Sequence, residues 1–215
     1  MCNRIIALLL LILTIGCNTK ESKTFQFVHN NIVSIDSIIV NSKPRQSHYN
    51  LAEIMVDNLM ILDSSSVKAL FNNLTLTADT SKFMLTFDPY SLYYLFDHVV
   101  LNDKFLFTII HNDEVGYNYL YQFTVDKNNK RIYYADLIGI TGGDGVDYTN
   151  DSLIFNSAGD KLTVISTSIY EDIGNSAHNT IQYDSLVRHF NFLLDKRLIS
   201  TIHESSRIDT IVNIE

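Results

Sequence analysis

Apolar and polar positions alternate with a period of two along most of this chain, the period of a β-strand with one buried face. Tyr117, Tyr119, Tyr121, Phe123 and Val125 line one face of the clearest such segment, with Asn118, Gln122, Thr124 and Asp126 on the other. Phe83, Leu85 and Phe87 alternate with Lys82, Met84 and Thr86, and Asn102-Asp103 separates apolar runs at 92–101 and 105–111. After the tyrosine strand, Lys127-Asn128-Asn129-Lys130 predicts a hairpin turn in which Asn takes the positive φ, and Ile132, Tyr134, Ile138 and Ile140 continue beyond it. Residues 153–155 and 162–169 flank Ser157-Ala158-Gly159-Asp160, residues 183–194 and 197–203 flank Asp195-Lys196, and a last strand is expected over 208–214.

Nearer the start, residues 32–35 and 38–40 predict two short strands ahead of the turn Asn41-Ser42-Lys43-Pro44, where proline disfavours helix in the residue before it. Only one segment has a helical period. Asp63-Ser64-Ser65-Ser66 offers a cap, and Val67, Leu70, Phe71 and Leu74 follow at i, i+3, i+4, i+7, predicting a helix over 66–74. Strands spaced by roughly ten residues with short turns predict a mainly β fold. The expected architecture is an antiparallel meander, as a sandwich, barrel or propeller-like sheet, with one short helix. No blade-like repeat and no domain boundary stands out.

Residues 1–17 follow another pattern. Arg4 precedes an unbroken apolar run at 5–13, and Thr14-Ile15-Gly16-Cys17 closes it. A membrane-spanning helix needs about 20 apolar residues, so this run has the length of a signal-peptide core instead. The cysteine directly after Gly16 resembles the lipobox of bacterial lipoproteins, although Leu13 lies one place farther from the cysteine than the family's usual leucine, with Thr14 in its position. The resemblance implies cleavage before Cys17 and acylation of its thiol, giving a signal peptide at 1–16, a lipidated tether at 17–24 and a single β-rich domain at 25–215. Asn18-Thr19-Lys20-Glu21 faintly resembles the charged export tag of lipoproteins of the Bacteroidota. Asp36-Ser37-Ile38, Asp151-Ser152-Leu153, Asp184-Ser185-Leu186 and Asp209-Thr210-Ile211 resemble the D-[ST]-apolar glycosylation acceptor of exported proteins from that phylum.

Removing 1–16 leaves 15 basic against 24 acidic side chains, a net −9. No basic block survives, which argues against nucleic acid as a partner. With 46% hydrophobic residues, 12 Tyr and 12 Phe, the chain has ample material for a core. Cys2 leaves with the leader and Cys17 carries lipid, so neither a disulfide nor a cysteine nucleophile is expected.

Candidate chemistry is sparse. The segment 141–151 combines three glycines with Asp144, Asp147 and Asp151, oxygen ligands of the kind calcium takes. Its spacing departs from the EF-hand loop, and turn chemistry alone accounts for the residue types. None of the seven histidines forms a metal-ligand pair; His111-Asn112-Asp113-Glu114 is the one grouping suited to acid/base work, and it falls at an expected turn. No G-x-S-x-G elbow occurs and no catalytic residue is assigned. Tyr117, Tyr119 and Tyr121 could stack on sugar rings or form a partner surface, but such stripes more commonly form a core face. The reading is a lipoprotein tethered to a bacterial membrane, with the outer membrane expected, exposed to periplasm or cell surface. It would serve as a binding or structural module of the envelope with a protein or glycan partner and no required cofactor. The alternative is an exported metal-dependent hydrolase using the 141–151 loop, with calcium as one metal it could hold.

Overall fold

The computed structural model describes residues 25–29, 32–72, 87–143, 147–172, 180–193 and 197–207. The leader, Cys17, the tether at 17–24, the alternation at 82–86, Asp144, the turn at 195–196 and the strand expected at 208–214 lie outside these residues.

The protein is mainly β. Among the described residues, eight long strands run as an antiparallel meander: β6 (Leu92–Val100), β7 (Lys104–Asn112), β8 (Tyr117–Asp126), β9 (Ile132–Gly143), β10 (Asp147–Phe155), β11 (Lys161–Asp172), β12 (Thr180–Phe192) and β13 (Arg197–Arg207). Short strands β3 (Lys43–Pro44), β4 (His48–Asn50) and β5 (Met60–Ile61) join the same sheet, bringing it to 11 strands. A separate pair, β1 (Val28–His29) and β2 (Ile32–Val33), lies ahead of them. The sheet curls without closing into a barrel, and the turns fall where polar breaks interrupt the apolar pattern. One detail differs: the positive φ of the β8–β9 turn is taken by Lys130, at +58°, and not by an asparagine.

The helix expected at 66–74 is present as α2 (Ser64–Asn72). Asp63 caps it, its Oδ1 accepting from the Ser66 amide at 2.9 Å and from the Ser65 hydroxyl. Of the two short strands expected at 32–35 and 38–40, the first forms at Ile32–Val33 as β2, whereas a second helix, α1 (Ile35–Asn41), takes the place of the other. Its apolar residues read as alternation because Ile35, Ile38, Ile39 and Val40 are close together. Only Ile35 and Ile38, three apart, are buried, whereas Ile39 and Val40 are exposed. That is a helical face, formed because α1 packs on the sheet.

Strands β6–β9 are covered on both faces. On the outer face, Leu95, Phe105, Phe107, Ile109, Tyr121, Phe123 and Val125 pack under Phe27, Val33, Ile38, Val67, Leu70 and Phe71 from the N-terminal elements. On the inner face, Tyr94, Phe96, Leu106, Ile110, Leu120 and Ile138 meet Leu153, Phe155, Leu162, Val164, Phe190 and Phe192, which the curl brings over them from β10–β12. The curl is held in part by Lys104 Nζ and Tyr134 Oη, which donate to the carbonyl oxygens of Phe192 and Leu193. Gln122, Thr124 and Asp126, the polar face of the tyrosine strand, therefore lie buried rather than in solvent.

The curl pivots on β10. Along one edge β10 pairs with β9 at Tyr148–Asn150, then leaves it and pairs with β4 at Ser152–Ile154. Asp151 sits at the fork, its Oδ2 accepting at 2.9 Å from the backbone N–H of Ile140 on β9. A side-chain carboxylate thus satisfies an amide where the β9–β10 ladder has ended. The corner before it needs its glycines: Gly142 has φ +131°, and a Cβ there would lie 2.3 Å from the Gly116 carbonyl oxygen.

Candidate functional site

The inner faces of β10, β11 and β12 change character along their length. Register pairs Phe155 with Leu162 and Leu162 with Phe190 at one end, a wholly apolar set under the curl. Toward the other end the same faces carry Asp151 opposite Ser166, Thr149 opposite Ser168, and Ser168 opposite Asp184. With Tyr170, Leu186 and Arg188 these residues line an open cleft of about 440 Å³. Alternation built this face, and its polar half extends past the strands that cover the apolar half.

An ion pair forms part of the lining. Arg188 Nη2 donates to Asp151 Oδ2 at 2.9 Å and to Ser166 Oγ at 3.3 Å. The Asp151 side chain is 1% exposed, whereas that of Arg188 is 20% exposed. Burial raises the Asp151 pKa above the usual carboxylate range, and the Ser166 hydroxyl, the Arg188 charge and the Ile140 amide pull it back. The pair is monodentate. Asp151 Oδ1 and Arg188 Nε are both buried with no hydrogen-bond partner among the described residues. Nearby, the Thr149 and Ser168 hydroxyls lie 3.1 Å apart, and the Tyr170 side chain is 41% exposed.

A second interior ion pair contrasts with it. Arg45, between β3 and β4, binds Asp97 through Nε at 3.1 Å and Nη2 at 3.0 Å, each side chain being 2% exposed. Its remaining donors reach Gln122 Oε1 at 2.6 Å, the Gly159 carbonyl at 3.1 Å and Thr108 Oγ1 at 3.3 Å, and the guanidinium lies 4.4 Å from the centre of the Phe155 ring. Tyr49 Oη adds a bond to Asp97 Oδ2 at 2.9 Å. Asp97 reaches this interior because β6 shifts register between Leu95 and His98. This network ties the β3–β4 strap to β6 and to the β10–β11 turn, an arrangement suited to holding the fold.

The residues singled out in the sequence are dispersed. The 141–151 segment is strand on both sides: β9 extends through Gly143 and β10 begins at Asp147. Asp147 is exposed at the strand start and Asp151 is buried at the fork. Four residues of strand separate them by about 13 Å, so their carboxylates do not converge. Among the described residues no three His, Cys, Asp or Glu side chains gather as a metal site. Tyr117, Tyr119 and Tyr121 lie on the outer face of β8; Tyr121 is buried edge-on to Phe71, while Tyr119 and Tyr117 are half-buried. His111 does not sit in a turn. It lies near the end of β7, stacked on Tyr93 at 4.6 Å with Tyr119 beside it, and burial lowers its pKa against the opposing pull of Asp113 and Asp88. Burial also raises the Tyr119 hydroxyl to about 12, with Asp113 next in effect.

Sequence reasoning missed Arg188 and Arg45. A signal for Arg188 existed: it occupies the same alternation phase as Leu186, Phe190 and Phe192, so a cation there had to face inward. Arg45, one residue after the turn proline, offered no comparable signal.

No family model, curated protein or solved structure matches this chain. Its site therefore rests on its own geometry. Among the described residues, no helix is long and apolar enough to cross a membrane.

Proposed function

We propose that this protein is a lipid-anchored binding module of a bacterial envelope, held by acyl chains on Cys17 and taking a small polar ligand in the cleft between β10 and β12. The observation that carries the binding half is the open polar end of the curled sheet, a cleft of about 440 Å³ lined by Thr149, Asp151, Ser166, Ser168, Tyr170 and Arg188. A concave site that gathers a few polar side chains is suited to a small polar ligand. The anchoring half is supported by the basic start, apolar run and Gly16-Cys17 junction. Each acyl CH₂ buried in a bilayer contributes about 0.8 kcal/mol, so a multiply acylated cysteine holds a domain without a spanning helix. In this reading the acidic domain faces the periplasm or the cell surface from an outer-membrane leaflet.

Metabolic labelling with an alkyne-bearing palmitate analogue tests the anchor. The wild-type protein should take up label and sediment with membranes. Cys17→Ser should lose the label and retain its leader; a labelled Cys17→Ser protein rules the anchor out. Calorimetry with calcium tests the metal-dependent alternative, because saturable binding abolished by Asp151→Asn would move the assignment there.

A further inference from the structure

We infer that copies of this chain associate head to tail, the acidic, apolar-tipped end of β6–β10 in one copy docking on the basic, apolar-tipped opposite end of the next. The contact uses none of the residues that line the β10–β12 cleft, and it does not depend on the Cys17 anchor.

The first end is where β6 begins. Tyr90, just ahead of β6, is 78% exposed, Val115 in the β7–β8 turn 66%, and Met55 in the link between β4 and β5 74%. They belong to one region. Register sets the exposed Leu92 opposite Asn112 and Asn112 opposite Asn118, so β6 begins beside the β7–β8 turn. Ile54 and Val56, on either side of Met55, share a crevice with Ile110, Asn118 and Thr141 at the same end. Apolar side chains exposed together and rimmed by charge mark a contact surface. The rim here is acidic: Asp57 two residues after Met55, Asp88 and Asp113 in the turns, Glu114 beside Val115, and Asp147 opening β10. Asp88 accepts from the Tyr90 amide and the Ser91 hydroxyl, and Asp113 from the Val115 and Tyr117 amides, neutral donors that leave the negative charge in place. From Phe87 to Asp160 the only Lys or Arg residues are Lys104, Lys127, Lys130 and Arg131, and all four lie at the other end, at the start of β7 and in the β8–β9 turn.

The opposite end, where β6 stops, carries the complement. Ile32, Val100 and Tyr133 are exposed there. The N–H of Val33, next to Ile32, donates to the Lys130 carbonyl at 2.9 Å, and Gly159 packs on Val99, next to Val100. Exposed Lys127, Lys130, Arg131 and Lys161 rim this end, against Asp103 and Asp160. Lys104 and Asp126, opposite each other in register, are both buried. With β6 9 residues long, about 26 Å separates the two ends. That exceeds the Debye length of about 8 Å at physiological salt, so neither charge set offsets the other within one molecule. Two like ends brought together would repel. Head to tail, carboxylates meet cations and apolar tips meet apolar tips. Because the two ends differ, the contact is heterologous and repeats from copy to copy.

The test is analytical ultracentrifugation of the full-length protein in density-matched detergent. The wild type should associate reversibly with rising concentration, and at least tenfold more weakly when salt is raised from about 0.05 to 0.5 M. Tyr90→Ser with Glu114→Lys blocks the first end, and Val100→Ser with Lys130→Glu blocks the second. Each double variant alone should associate at least tenfold more weakly than wild type. Their equimolar mixture should form dimers and nothing larger, since one matching pair of free ends remains. Ile165→Thr, at an exposed position in the middle of β11, should behave as wild type. Circular dichroism checks folding, and the single changes Glu114→Lys and Lys130→Glu, both at exposed turn positions, repeat the comparison if a double variant does not fold. A wild type that stays monomeric, association of either blocked variant alone at wild-type strength, or a mixture without dimers overturns the inference. None of these outcomes bears on the cleft or the anchor, and failure of Cys17 labelling leaves this contact standing.

Discussion

Two histidines show how burial turns a residue into a pH-sensitive element of stability. His111 is stacked on Tyr93, and His98 stacks near Phe105 with its Nδ1 2.8 Å from Ser42 Oγ. Burial is the leading cause that lowers both pKa values below the ordinary 6.5, outweighing nearby aspartates. A depressed folded-state pKa means that the unfolded chain takes up the proton first. The stability from these neutral rings is complete above pH 6.5 and is lost as pH falls from there toward the folded-state values. Each group contributes a slope of at most about 1.4 kcal/mol per pH unit. Urea unfolding between pH 7 and 5 should therefore show falling stability, and His111→Phe should flatten that limb. An unchanged slope in the variant would show that His111 titrates alike in both states.

Local elements obey sequence rules where a residue's own neighbours decide the outcome. Helix α2 starts where Asp63 can cap it and runs on the phase set by Val67, Leu70 and Phe71, all buried. Replacing Asp63 by Ala removes the partner of the Ser66 amide and should cost about 0.5–2 kcal/mol in urea unfolding. The same carboxyl lies below its usual pKa through the Ser65 and Ser66 hydrogen bonds, although burial is the largest single effect and opposes them. The strands β7, β8, β11 and β12 were legible because an apolar run or an alternating one fills each of them between polar turns. Two elements were not. Helix α1 is 7 residues long, too short for its period to be told from a strand pair before its contacts with the sheet are known. The 147–151 stretch looks like a loop because its inward residues are Asp and Thr, but they line a polar cleft.

At the level of the whole molecule, one cation fastens the two ends of the curl. Arg45 bridges Asp97 on β6, Gln122 on β8 and the carbonyl of Gly159 beyond β10, and Gly159 itself packs against Val99. Removing one partner of a buried pair leaves an uncompensated charge, typically a loss of about 3–5 kcal/mol. Asp97→Ala should lower urea-unfolding stability by that order. The double replacement Arg45→Met with Asp97→Leu should recover much of it, because no charge then remains buried. If Asp97→Ala unfolds like wild type, the strap is not what holds β6 to β10.

The order of the residues was by itself enough to establish the β class, the meander, most turns and the helix at α2. These depend on local period and turn chemistry, which act over a few residues. The candidate address at Cys17 is also local, a matter of seventeen consecutive positions. The curl, the fork at Asp151 and the meeting of Arg188 with a carboxylate 37 positions earlier belong to the tertiary structure alone. A polar residue on an alternating strand carries no mark of whether its face will meet solvent or a neighbouring strand. Only the bend of the sheet at β10 made one polar face an interior and left another open as a cleft.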